Sequence, residues 1–136
     1  PVKNQMLRNY LETKSCLRDT RILICEDDDF GYLYVNRLLT QAGAVTFRAI
    51  SGTKAIKFCQ SEEVIDLIIM DLRMPEMSGH DAAGFIKKLR PSIPIIVSTA
   101  SSSEEIEHLL NNRLFDGVVY KPIRSANLLE TVCGLL

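Results

Sequence analysis

No stretch of this 136-residue chain is apolar over the roughly 20 residues that a membrane-spanning helix needs. Its opening residues also lack the apolar core of a signal peptide. Positive charge is not in excess: 16 Lys and Arg stand against 17 Asp and Glu, a net charge of -1. No basic field therefore points to nucleic acid or to an anionic membrane. Cysteine is sparse, and Cys16, Cys25, Cys59 and Cys133 form neither a CxxC pair nor a metal-finger spacing. Cys25 lies inside an apolar run, where a reduced core thiol is expected, so the sequence predicts a cytoplasmic, reducing location. There is no internal repeat and no low-complexity tract.

What is present is a chain 46% hydrophobic and 24% charged, the composition and length of one globular domain with a single substantial core. Residues 1–20 stand apart. They are polar and mildly basic (Lys3, Arg8, Lys14, Arg18), with Met6, Leu7, Tyr10 and Leu11 as one short apolar patch. They are expected to be a linker or extension, partly helical, ahead of a domain spanning 21–136.

Within that domain five short apolar runs recur: Ile22-Leu23-Ile24-Cys25, Val45-Thr46-Phe47, Leu67-Ile68-Ile69-Met70, Ile95-Ile96-Val97 and Val118-Val119-Tyr120. Continuous apolar character, in place of alternation, predicts strands buried on both faces of a parallel sheet. Between the runs, apolar residues repeat with helical spacing. Val35, Leu38, Leu39 and Ala42 stop at Gly43; Ala82, Phe85, Ile86 and Leu89 end before Pro91. Ile106, Leu109 and Leu110 follow, then Leu128, Leu129, Val132 and Leu135, while Ala55, Ile56 and Cys59 mark a weaker helix. Ser102 with Glu105 has capping-box spacing, and Ser125 is expected to precede the last helix. Strand and helix in alternation indicate an α/β sandwich with a parallel sheet.

In open parallel sheets, ligands bind outside the carboxyl ends of the strands. The first run is followed there by Glu26-Asp27-Asp28-Asp29, the third by Asp71, the fourth by Ser98-Thr99-Ala100 and the fifth by Lys121-Pro122. Glu26, Asp27 and Asp71 are hard oxygen donors whose mutual repulsion a divalent ion such as Mg²⁺ relieves. Lys121 adds a compact positive charge and Thr99 a hydrogen-bond donor, a set suited to phosphoryl transfer onto a carboxylate. Taken singly, each has an ordinary explanation. Asp28 or Asp29 serves as a helix cap, Asp71 as a turn residue, Lys121 as a solvated charge and Thr99 as a turn or cap.

Asp71-Leu72-Arg73-Met74-Pro75-Glu76-Met77-Ser78-Gly79 resembles the DxxMPxMxG signature of response-regulator receiver domains. The stretches 22–27, 94–100 and 117–122 resemble that family's first, fourth and fifth strands with their acid pair, Thr-Ala and Lys-Pro endings. The likeness spans about residue 21 to 136. It implies a flavodoxin-like, doubly wound (βα)5 sandwich with sheet order 2-1-3-4-5. It implies Asp71 as phosphoacceptor, Mg²⁺ as cofactor, and Glu26, Asp27, Asp71 and the backbone carbonyl of Arg73 as the metal-binding set. By the same resemblance Thr99 and Lys121 bond the phosphoryl oxygens, the Lys121–Pro122 peptide is often cis, and Gly79 permits a turn after Pro75. Where the family usually carries an inward-turning aromatic residue this chain has Val118, and alternation places Tyr120 on the same side as Val118. The usual aromatic relay is therefore in doubt.

The implied partner is a histidine kinase or histidine phosphotransfer protein, docking near the first helix with Phe30 and Tyr34 as candidate contacts. The implied output face is the fourth helix, fifth strand and fifth helix (residues 106–113 and 126–136), also the surface for a weak homodimer. Direct nucleic-acid or membrane contact is not expected. The start Pro1-Val2-Lys3 resembles the closing strand of a histidine-kinase ATP-binding domain, which favours the receiver of a hybrid sensor histidine kinase over a stand-alone regulator. A receiver that no longer takes phosphate and acts only in docking or dimerisation is the alternative. An aspartyl phosphatase is disfavoured because Arg73 stands where a DxD motif needs its second acid.

Overall fold

The computed structural model describes residue 5 and residues 17–100, 103–111 and 113–136. Strands and helices alternate through the domain. They are β1 (Arg21–Cys25), α1 (Asp29–Gln41), β2 (Val45–Ala49), α2 (Gly52–Gln60) and β3 (Leu67–Asp71), followed by α3 (Gly79–Leu89), β4 (Ile95–Thr99), α4 (Ser103–Asn111), β5 (Gly117–Tyr120) and α5 (Ser125–Leu135). The sheet has order β2-β1-β3-β4-β5 and every pairing is parallel. The parallel α/β sandwich is the one the sequence pattern predicts, and its flavodoxin-like strand order is the one the family resemblance implies.

Strand alternation divides the core into two layers. Leu23, Cys25, Ile68, Met70, Ile95 and Val97 face α2, α3 and α4 through Ala55, Cys59, Ala82, Ala83, Ile86 and Ile106. Their strand neighbours Ile22, Ile24, Leu67, Ile69, Ile96 and Val119 face α1 and α5 through Val35, Leu39, Leu128 and Val132. Fully burying one such side chain stabilises the fold by about 1.5–3 kcal/mol, which is why the central strands β1, β3 and β4 carry almost no polar residue before their last positions. Leu17 is fully buried in the α1/α5 layer, so the packed body begins ahead of β1.

The ends of the helices follow the local sequence. Asp28 caps α1, its carboxylate accepting from Gly31 N–H at 2.7 Å. Ser51 and Ser78 cap α2 and α3 in the same way, through Lys54 N–H and Asp81 N–H. Helix α1 stops at Gly43, which takes a left-handed φ of 101°, and α3 stops just before Pro91.

Several expectations need correction. Phe85 and Leu89 are 51% and 46% exposed; α3 buries Ala82, Ala83 and Ile86 instead, because small residues let the helix approach α2 and the sheet closely. Strand β2 lies at a sheet edge with Val45 exposed, so burial on both faces holds for β1, β3 and β4 and fails there. Ser125 is the first residue of α5, and Arg124 occupies the cap position without a side-chain bond. Ser102 and the patch Met6, Leu7, Tyr10 and Leu11 lie outside the described residues. Cys25 and Cys59 are buried free thiols, whereas Cys133 is disulfide-bonded, which no spacing foreshadowed.

Candidate functional site at the carboxyl edge of the sheet

The chain leaves β1 for one edge of the sheet and re-enters beside it as β3, with α1 and α3 departing to opposite layers. This reversal opens a crevice between the loops that follow β1 and β3. Glu26 and Asp71 are buried at those strand ends, and Ser98 and Thr99 at the end of β4, among described residues whose interior is otherwise nearly all apolar.

Lys121, just past β5, reaches into the crevice. Its ammonium donates to Asp71 Oδ2 at 2.8 Å and to Glu26 Oε1 at 2.9 Å. Asp71 Oδ1 accepts from Arg73 N–H at 3.1 Å, so both acceptor oxygens are held. The Lys121–Pro122 peptide is cis, as the family likeness leads one to expect, and Lys121 N–H bonds the carbonyl of Thr99 at 2.8 Å. Thr99 is buried at the end of β4, one residue beyond Ser98, which stands opposite Asp71. Asp27 is exposed at the mouth. Glu26, Asp27 and Asp71 each bring a carboxylate oxygen within 4.8 Å of the others.

Two buried carboxylates share one ammonium with Asp27 beside them, and the surplus negative charge shows in the proton affinity of Glu26. Burial pushes Glu26 up, the hydrogen bond and negative charge of Asp71 push it further, and Lys121 only partly opposes them; the carboxyl rises to about 7. Burial would lower Lys121, but the bonds and charges of Asp71 and Glu26 outweigh it and raise its affinity for the proton. Among the described residues, buried Glu26 Oε2 has no hydrogen-bond partner. An orphaned, inward carboxylate oxygen among hard oxygen donors is a set that a small divalent cation satisfies.

Two glycines shape the crevice. A Cβ on Gly31 would meet Glu26 Oε1 at 2.6 Å, and one on Gly79 would meet the main-chain oxygen of Asp71 at 2.0 Å. Gly79 thus lets the chain that turns back after Pro75 approach Asp71 closely, which a residue with Cβ would resist. Sequence reasoning passed over Gly31. The signal for it was a glycine in the first turn of a helix, where it costs about 1 kcal/mol relative to alanine unless a neighbour needs the space. Val118 packs toward the α2/α3/α4 layer and Tyr120 is exposed at the strand end, so the position of the family's aromatic residue is filled by a small aliphatic one.

On α1, Phe30, Leu33 and Tyr34 are exposed by 84%, 57% and 46% at i, i+3 and i+4 spacing. Phe30 and Tyr34 were legible as candidates; Leu33 was not, since its place on the outward face depends on how α1 packs. Tyr34 Oη donates to the carbonyl of Ile123 at 2.9 Å, tying this face to the loop after Lys121.

Fold and site together define a receiver of two-component signalling. A family profile described as "Response regulator receiver domain" matches residues 22–133, and the chain belongs to that family. It is 35% identical over 113 residues to the autoinducer 1 sensor kinase/phosphatase LuxN of Vibrio campbellii, covering 83% of this chain but 13% of LuxN. It is 30% identical over 118 residues to the polar-differentiation response regulator DivK of Brucella ovis, covering 85% of this chain and 94% of DivK. The solved structure of the Vibrio cholerae chemotaxis protein CheY4 superposes with a TM-score of 0.80 at 25% identity, over 87% of this chain and 99% of that one. The chain spans similarly small shares, 18% and 19%, of the sensory/regulatory protein RpfC and the autoinducer sensor kinase/phosphatase CqsS.

Proposed function

We propose that this domain accepts a phosphoryl group on Asp71 from a phosphohistidine of a partner protein. The observation that carries the proposal is the bridge of Lys121 to Asp71 and Glu26, with Asp27 beside them. In the step proposed, a carboxylate oxygen of Asp71 forms a bond to phosphorus as the phosphorus–nitrogen bond to imidazole breaks. The leaving imidazole nitrogen keeps the electron pair, and the product is an acyl phosphate. Lys121 stands where charge accumulates on the transferring oxygens, and Thr99 at the end of β4 supplies a hydroxyl toward them. Arg73 N–H and Lys121 orient the Asp71 carboxylate before attack. Ala100, small and exposed, leaves the approach open.

The donors fit Mg²⁺, with Asp27 and Asp71 as direct ligands, Glu26 alongside, and the Arg73 carbonyl as a backbone ligand. When bound, the ion neutralises phosphoryl charge. Phosphorylation shifts a conformational balance only so far as the phosphoryl group interacts differently with two states, and the Thr99 end of β4 is the reporter proposed here.

The exposed apolar face of α1 fits docking of a histidine kinase or phosphotransfer protein. The resemblance to parts of LuxN, RpfC and CqsS supports a hybrid sensor kinase as parent, with the residues before Leu17 as its linker and the domain on the cytoplasmic side. There the Cys133 disulfide would face reduction. The α4–β5–α5 surface is the proposed output or homodimer face.

Incubation of the chain and its Asp71→Asn variant with a radiolabelled phosphohistidine donor and Mg²⁺ tests the assignment. Label is expected on the wild type only. Equal label on both would refute Asp71 as acceptor, and label on neither would favour a docking module that takes no phosphate.

A further inference from the structure

Arg48 lies in β2 opposite Ile24, two positions before Glu26 on the neighbouring strand, and its side chain runs along the sheet edge to the acidic loop. Its guanidinium donates to the carbonyl of Glu26 at 3.1 Å, the carbonyl of Asp27 at 3.3 Å and Asp29 Oδ1 at 2.9 Å. The same group lies over the Tyr32 ring, 4.3 Å from its centroid. One planar cation thus gathers both main-chain oxygens of the acid pair, the first residue of α1 and an aromatic ring on that helix. The main-chain N–H of Glu26 meanwhile bonds Ala49, the residue after Arg48, at 3.0 Å.

We propose that Arg48 is a positioning residue for cation binding: it fixes the backbone of residues 26–29 so that Glu26 and Asp27 present their carboxylates beside Asp71. The inference rests on the phosphoacceptor function proposed above. The chemical reason is geometric. Four acids in succession repel one another, and the loop must nonetheless hold two of them toward Asp71 while Asp28 caps α1 and Asp29 turns away. A guanidinium fork binds two carbonyls and a carboxylate at once, whereas an ammonium on a flexible stem does not. Arg48 touches neither Asp71 nor the carboxylates of Glu26 and Asp27 in any bond described above, so it acts through the loop.

Positioning and simple charge predict opposite signs. Removing a cation near an acidic cluster strengthens Mg²⁺ binding if only Coulomb attraction matters. Loss of a group that holds the ligand-bearing loop weakens it, by the 10- to 100-fold typical of residues behind metal ligands. The experiment is calorimetric titration of the full chain with Mg²⁺ for wild type, Arg48→Lys, Arg48→Met and Asp29→Asn. It is paired with amide hydrogen exchange of residues 26–31 in the metal-free proteins.

Arg48→Lys and Arg48→Met are expected to weaken Mg²⁺ binding about tenfold or more. They should also speed exchange in that segment while β3 and β4 stay protected. Asp29→Asn, which keeps both carbonyl bonds, is expected to stay within about twofold of wild type. Unchanged or tighter binding in the Arg48 variants would overturn the proposal, as would a loss in Asp29→Asn as large as theirs. Where Arg48→Met is too unstable, Arg48→Lys carries the test. A wild type that binds no Mg²⁺ would instead sink the phosphoacceptor assignment, and the metal-free exchange would still decide whether Arg48 orders the loop.

Discussion

The α-carbon of Gly79 faces the main-chain oxygen of Asp71 so closely that a methyl group there would stand 2.0 Å from it. Gly79 N–H also bonds the carbonyl of Leu72 at 2.9 Å, so the start of α3 is pressed onto the segment that presents the Asp71 carboxylate. Backbone cannot yield as the tip of a side chain can. Gly79→Ala is expected to cost about 2–3 kcal/mol and to lower the rate of Asp71 phosphorylation, read by chemical denaturation and by label uptake. The Asp81→Ala variant, at an exposed position in the first turn of α3, is expected to stay within about 0.5 kcal/mol.

Glu26 gives the metal-free protein a definite pH signature. Burial and Asp71 raise its carboxyl to about 7 in the fold, against 4.5 when exposed, so the folded state binds more protons between those limits. Its contribution is fully present below about pH 4.5 and is lost as pH rises through 7. Glu26→Gln removes this dependence. At pH 8 without Mg²⁺ the variant is expected to be more stable than wild type by about 1–3 kcal/mol, from urea unfolding. A wild type that is the more stable under those conditions would contradict the strained carboxylate.

Lys121 holds two buried carboxylates at once. Lys121→Met is expected to cost about 1–3 kcal/mol in metal-free protein, because both acids then lose their cation. Phosphoryl uptake from a small phosphodonor should fall at least tenfold even with saturating Mg²⁺, since the ammonium that orients Asp71 is then gone.

The exposed face of α1 should matter to a protein donor alone. Phe30→Ser with Leu33→Ser removes two outward apolar side chains, and stability is expected to change by less than about 0.5 kcal/mol per site. Transfer from a phosphohistidine protein is expected to slow about tenfold or more, while uptake from a small phosphodonor is unchanged. Equal slowing with both donors would point to damage at Asp71 and not to docking.

Much of the architecture was legible because its causes are local or periodic. Uninterrupted apolar runs mark strands covered on both faces, and Leu67-Ile68-Ile69-Met70 could hardly be anything else. Gly43 and Pro91 end helices by their own backbone limits. The helix faces were less legible. Phe85 fits the helical repeat, yet the close α2–α3 approach selects Ala82 and Ala83 for burial and leaves Phe85 outside. Spacing alone does not weigh a small buried residue against a large exposed one.

The residue types at the strand ends, and the order in which they occur, were determined by the sequence itself: acids after β1, Asp71 at the end of β3, Thr99 at the end of β4 and Lys121 after β5. Their meeting was decided only by the tertiary fold, since Lys121 and Asp71 are 50 positions apart and Lys121 and Glu26 are 95 apart. The same fold supplied Arg48 behind the loop and gave Gly31 and Gly79 their use, the space that Glu26 and the Asp71 backbone occupy. Chemistry is written along the chain, but distance and burial, which set the strength of charge interactions, arise only when the sheet brings its edges together.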